Sequence, residues 1–284
     1  MLNKHIDKPV SVLLMSIAVL CGLILLLVLS FLVKEAWPAI NDGAWRSFLV
    51  DDAWYPLEGL FGISPMILAS LAMTVGAILL ALPLGVSSAI FLVFYAPAPV
   101  GSVYRLMLNL LAGIPSVIYG LWGLTKLVPL IVQWQAPGVS LLAAILVLTL
   151  MILPTVALTS AAALTAVPQE LIAGAAALGL TRKSQILLVL IPAAKTGIIS
   201  GVLLAVARAL GETMAVLMVA GNVVQNPTSL FAPVRALTAN IALEMAYATG
   251  THRAGLFASG LLLTLLVLLL AWLASRLRSQ AQRG

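Results

Sequence analysis

Long apolar runs decide what this chain can fold into. Six of them, 10–33, 66–95, 109–133, 140–165, 197–221 and 254–275, continue for over twenty residues with few ions inside. At about 1.5 Å per helical residue, each reaches across a hydrocarbon core of roughly 30 Å. A soluble domain carries about 25% charged residues, whereas this chain has 8%, with mean hydropathy +1.15. Lipid is therefore the expected solvent. The expected fold is an all-α integral membrane protein of six transmembrane helices, because only helices and closed barrels satisfy every backbone group without water.

Lys4 and Lys8 ahead of the first run resemble the start of a secretory signal, but Val10 to Val33 outlasts an apolar signal core of about 7 to 15 residues. No small-residue cleavage site follows, so the run reads as a retained helix. The single cysteine, Cys21, lies inside it, which leaves no disulfide framework and no cysteine metal site. His5 and His252 stand isolated, so no metal or cofactor constellation is expected. The net charge of +6 comes from scattered cations that flank apolar runs, which argues for membrane topology and against nucleic acid. Six crossings put both termini on one side, and Lys4, Lys8, Arg105, Arg182, Lys183, Lys195, Arg276, Arg278 and Arg283 fall there. That side reads as the cytoplasm. Lys34, Arg46, Arg235 and Arg253 face the other side with most acids: Glu35, Asp42, Asp51, Asp52, Glu58 and Glu244. In the long external stretch 34–65, Trp37, Trp45, Trp54 and Tyr55 suggest an interfacial aromatic belt. The second external stretch, 222–253, offers a place for a partner to dock.

One internal connection, 168–192, exceeds a turn, and its punctuation predicts two short helices. Pro168 suits a first helical position, Glu170 the positive end of a dipole, and Gly179 a C′ stop. Thr181 then caps a second piece that Pro192 ends or kinks. Small residues Ala173, Gly174, Ala175 and Ala177 would lie exposed, ready for a groove on another protein. Gly174-Ala175, then Gly179, then Pro192 thirteen residues later, resembles the EAA loop of ABC importer permeases. In that family the loop is the coupling helix seated on the ATPase; here Ala173 stands where the motif usually has Glu. The chain has no Gly-Lys pair and hence no Walker phosphate cradle, so ATP would bind elsewhere.

Arg208 and Glu212 fall near the middle of the run 197–221. An intramembrane ion costs roughly 2.5 to 3.5 kcal/mol on insertion scales. On one continuous helix the two would pair four residues apart, on the small-residue stripe of Gly197, Gly201 and Ala205. Ile199, Val206, Leu210 and Leu217 would then form the lipid face. The bland reading is a neutralised bridge locking helices together. The functional one is an anion station, with planar Arg donors matched to an oxyanion and Glu212 accepting the P–OH of hydrogen phosphate, which sulfate lacks.

Ala207-Arg-Ala-Leu-Gly-Glu-Thr-Met-Ala-Val216 and Leu111-Ala-Gly-Ile-Pro-Ser-Val-Ile-Tyr-Gly-Leu-Trp-Gly123, with Leu82-Pro-Leu-Gly85 before and Met151-Ile-Leu-Pro154 after, resemble the PstC family of phosphate ABC transporter permeases. That resemblance implies a type I (MetI-like) importer fold and a phosphate importer. It implies a sister permease PstA, two copies of the ATPase PstB holding ATP and Mg, and an external phosphate-binding protein PstS. It also implies that Arg208 and Glu212 carry translocation, and that Gly174, Ala175, Gly179 and Pro192 belong to the coupling loop. The chain then divides into a first helix with its loop (1–65), a permease core (66–275) and a basic tail (276–284). From the residues themselves, Gly113, Pro115, Gly120 and Gly123 bend or thin the third helix, and Lys126 snorkels to the interface or draws an anion inward. The residues alone leave open a permease for another oxyanion, a secondary transporter gated by Arg208 and Glu212, or a noncatalytic scaffold.

Overall fold

In lipid a backbone has only itself to bond to, and helices follow one another along nearly the whole chain. The computed structural model describes residues 4–41, 48, 51 and 53–281. Helix α1 (Lys4–Asn41) leads to a small antiparallel hairpin of β1 (Trp54–Tyr55) and β2 (Leu60–Phe61), with Trp54 opposite Phe61. Then come α2 (Ser64–Ile90), which ends in a π turn over Phe91–Tyr95, α3 (Ala98–Gly113), α4 (Ser116–Val132) and α5 (Leu141–Thr165). The remainder is α6 (Gln169–Ala177), α7 (Arg182–Leu210), α8 (Met214–Val219), α9 (Leu237–Glu244) and α10 (Gly250–Ala281).

Five helices, α1, α2, α5, α7 and α10, are long and apolar enough to cross a membrane, and the pair α3–α4 makes a sixth candidate span bent by 93°. The first four spans of the bundle do not share its core equally. Two-thirds (67%) of the apolar window of α5 is buried, against none of α1, so α5 is the central post and α1 a peripheral helix laid along α10. Met73 of α2, Leu148, Met151, Ile152 and Val156 of α5, and Ala205 of α7 form the main core. A Cβ on Gly201 would overlap Thr159 Oγ1, so the expected small-residue stripe is where α7 lies against α5.

Several expectations are corrected. The third span is no single rod over 109–133: its halves diverge at Ile114–Pro115, where Pro115 has no N–H for the helix. The fifth starts at Arg182, well before Gly197, and ends at Leu210. Pro192 neither ends nor separates a piece, because a π turn over Ile186–Leu190 absorbs its missing donor and the helix runs on. Lys34, Glu35 and Trp37 ride on α1, and Arg276 on α10, which continues to Ala281 through most of the expected tail. Trp37 is exposed, yet Trp54 is buried rather than part of a belt, and Trp45 lies outside the described residues, as do Asp42, Arg46, Asp52 and Arg283. The side chains of Lys4, His5, Lys8 and Arg278 lie outside them too.

The stretch after α8 is no loose loop. Leu141 and Leu142 donate their N–H groups to the carbonyls of Ala232 and Leu230, so this segment satisfies donors that the first turn of α5 would leave orphaned.

Candidate functional site at two interrupted helices

The Arg208–Glu212 pair is not one turn of helix. α7 stops at Leu210, Gly211 caps it, and Glu212 and Thr213 pass in non-helical backbone to the short α8. The 100° stepping therefore fails beyond Gly211. Leu210, expected to face lipid, is buried, lining a small cavity with Leu71 and Leu237. No ion pair joins Arg208 to Glu212.

Each ion is instead matched to a different helix end. Arg208 occupies the last turn of α7, where the dipole is negative. Glu212 Oε1 accepts the N–H of Ala215 at 3.1 Å, capping the positive start of α8. The Glu212 carbonyl, left free by the break, accepts the hydroxyl of Thr238 at 2.9 Å. Arg208 is half-buried, and among the described residues its guanidinium forms no hydrogen bond or ion pair.

The second interruption faces the first. Pro115 cannot bond the carbonyl of Leu111, four residues back; that oxygen accepts the Ile114 N–H at 3.3 Å and the Tyr119 hydroxyl at 2.8 Å. Close approach holds the two breaks together: a Cβ on Gly120 would stand 2.9 Å from the Ala215 Cα. Lys126, at the far end of α4, is exposed on a π turn over Gly123–Leu127. Reading the sequence missed Tyr119 and Thr238, although a tyrosine eight residues after a carbonyl that proline deprives of its i+4 donor was a usable sign.

A further polar cluster was missed altogether. Glu244 is buried and engaged on both oxygens: Oε1 by Arg235 NH1 at 2.8 Å, Oε2 by the Trp54 indole N–H at 2.7 Å and by His252 Nε2 at 2.9 Å. His252 is thus not isolated: it shares the Glu244 carboxylate with Arg235 and Trp54.

The coupling-loop residues divide. α6 closes as the spacing predicts: Gly179 at φ +73° donates to Ala176 and Leu180 to Ala175, a Schellman closure. Thr181 Oγ1 accepts the Ser184 N–H at 3.3 Å. Pro168 caps one residue ahead of the helix it was expected to begin. Ala173, Gly174 and Ala177 are exposed, with open space round Gly174, but Ala175 is buried against the bundle. The outermost apolar group is Leu178, 82% exposed. Arg182 braces this corner, donating to the Phe94 carbonyl with its guanidinium 5.0 Å from the Tyr95 ring centre.

The family model described as binding-protein-dependent transport system inner membrane component matches residues 81–281. A probable ABC transporter permease protein, YqgH of Bacillus subtilis, is 40% identical over 247 residues, spanning 84% of this chain and 80% of its own. The phosphate transport system permease protein PstC of Mesorhizobium japonicum is 36% identical over 261 residues, covering 84% of this chain and 80% of the relative. That of Pasteurella multocida is 35% identical over 274 residues, covering 88% and 84%. Among solved structures, the inward-facing MetNI methionine ABC transporter superposes with a TM-score of 0.64 at 22% identity, over 81% of this chain and 99% of that one. At that identity the likeness speaks for the fold alone.

Proposed function

Because the chain belongs to the family of binding-protein-dependent transport system inner membrane components, we propose that it passes inorganic phosphate inward where α7 and the α3–α4 pair are interrupted. It is a multi-pass permease subunit of an ABC importer, not an enzyme, and that family works with a separate ATPase and a separate binding protein. The finer assignment is a heterodimer with a sister permease, PstA, driven by two copies of PstB, which hold ATP and Mg, and fed from outside by PstS. Residues 66–275 would be the conducting core. The end bearing Arg105, Arg182, Lys183, Lys195 and Arg276 faces the cytoplasm together with both termini, by the bias of Lys and Arg. There α6, with Gly174 open and Leu178 projecting, seats on the ATPase, and Gly179 and the Pro192 turn fix its angle to α7.

The observation that carries the reading is the uncommitted guanidinium of Arg208. Its five donors lie in a fork that fits two oxygens of a tetrahedral anion. Among the described residues Glu212 Oε2 has no hydrogen-bond partner while Oε1 caps α8, so one acceptor remains for a P–OH. This is the difference between hydrogen phosphate and fully ionised sulfate.

The test is reconstitution with the partner subunits in proteoliposomes. ATP-dependent phosphate uptake should survive an uncoupler and vanish with Arg208→Gln; uptake that follows the proton gradient, or persists in that variant, refutes the proposal. Glu212→Gln keeps a carbonyl to cap Ala215, so the fold should stand while the preference for phosphate over sulfate is lost. Full preference in that variant would rule out the acceptor role.

A further inference from the structure

The outer cluster round Glu244 and the break at Glu212 are two ends of one hydrogen-bonded assembly, and the short helix α9 joins them. At its start the N–H of Leu237 donates to Ser70 Oγ of α2 at 3.0 Å, and Thr238 donates its hydroxyl to the Glu212 carbonyl at 2.9 Å. At its other end Glu244 receives Trp54 of the hairpin, Arg235 and His252 of α10. Glu244 stands six positions after Thr238, about 9 Å along the helix axis. A helix pinned at both ends over that length moves as a rigid piece.

A second arm runs through Arg235. Its Nε donates to the carbonyl of Asn222 at 2.9 Å, and its NH1 to Asn240 Oδ1 at 2.9 Å. Asn222 sits at φ +55° and donates its side-chain amide to the Leu217 carbonyl at 2.7 Å, closing the C-terminal end of α8. Both ends of α8 are therefore governed from outside it: the start by Glu212, whose backbone Thr238 holds, and the finish by Asn222, whose backbone Arg235 holds. α8 carries Ala215, the residue pressed against Gly120. The backbone beside Arg235 is bridged to the same corner, Asn222 donating its N–H to Val234 at 3.1 Å and Val234 its own to Ala220 at 2.8 Å, while the Glu244 carboxylate and the Asn240 amide orient the guanidinium itself.

We propose that Glu244 is a positioning residue for transport: through α9 and Arg235 it sets the geometry of the Arg208–Glu212 break, and so holds the anion site in register. The inference rests on the phosphate reading for its transport consequence and on the hydrogen bonds alone for its structural one. Glu244→Gln retains size but offers one carbonyl oxygen where three donors converged. Thr238→Val deletes only the hydroxyl at the far end of the same lever, and Thr238→Ser restores it.

Two measurements on the reconstituted complex decide the matter. Phosphate carried per ATP hydrolysed should fall on the order of tenfold in Glu244→Gln and in Thr238→Val, with recovery in Thr238→Ser, since misplacing a binding group costs rate without disabling the motor. Amide exchange over 214–219 should accelerate on the order of tenfold in the two deficient variants while 141–165 stays protected. The double variant should fall no further than either single one, as for groups acting as one unit. If ATP hydrolysis and uptake drop in proportion, or the parent transports phosphate and either measurement is unmoved in both variants, the inference is overturned. If the parent carries no phosphate yet amides 214–219 are loosened, the positioning stands and the phosphate reading falls instead.

Discussion

Two half-buried arginines sit at opposite ends of the same assembly and do opposite things with their donors. Arg235 commits Nε and NH1 to Asn222, Asn240 and Glu244. Arg208 commits none among the described residues. A guanidinium in low dielectric is stabilised when its N–H groups are engaged, and removing a partner leaves a desolvated donor. The satisfied arginine therefore locks structure. The unsatisfied one, tolerated by the end of α7 and by partial exposure, keeps its fork for something that comes and goes.

The largest effect that would break this contrast is on transport. Arg208→Lys keeps the charge at the end of α7 but replaces a planar fork with a point charge, so uptake should fall on the order of 100- to 1000-fold. Unfolding in detergent should change by less than about 0.5 kcal/mol, because no internal contact is lost. A variant that transports normally, or that unfolds markedly earlier, would make Arg208 a structural group like Arg235. The converse is Arg235→Gln. Losing charge-assisted bonds to Glu244 should cost about 2 kcal/mol, seen as a lower melting temperature, even where the substrate never touches the residue. No change in melting would mean that the outer cluster is ornamental and the contrast false.

What could be read in advance follows the range of the forces. The closure of α6 at Gly179 and the cap at Thr181 were legible because both are local: a positive φ and a hydroxyl three residues from its donor. The long apolar spans were legible from length and polarity, and Arg208 and Glu212 stood out by the cost of an ion in lipid. The pairing of those ions was not. The window holds no proline at the break, Gly211 reads as one more small packing residue, and the bond that stabilises the opened backbone comes from Thr238, far along the chain. Pro192 misled in the other direction: a π turn lengthens one loop of backbone and hides the interruption inside a continuous helix. The Glu244 cluster had no signature, since Trp54 and Glu244 stand 190 positions apart and meet only when hairpin, α9 and α10 assemble.

A third arginine marks the weak end of the scale. Arg253 meets Glu35 at 3.3 Å across α1 and α10, but its side chain is 51% exposed and that of the acid 29%. The pair holds two flexible side chains together where solvent and lipid headgroups compete for both charges, and α1 is already seated by apolar contact along α10, with Phe31 against Phe257 at 5.6 Å. Arg253→Gln should therefore lower stability by about 0–1 kcal/mol, an effect that shrinks further at high salt. Melting in detergent at two salt concentrations reads this directly. A loss as large as that of Arg235→Gln, unchanged by salt, would show that engagement of donors does not grade these arginines, and that the uncommitted state of Arg208 carries no information about what it binds.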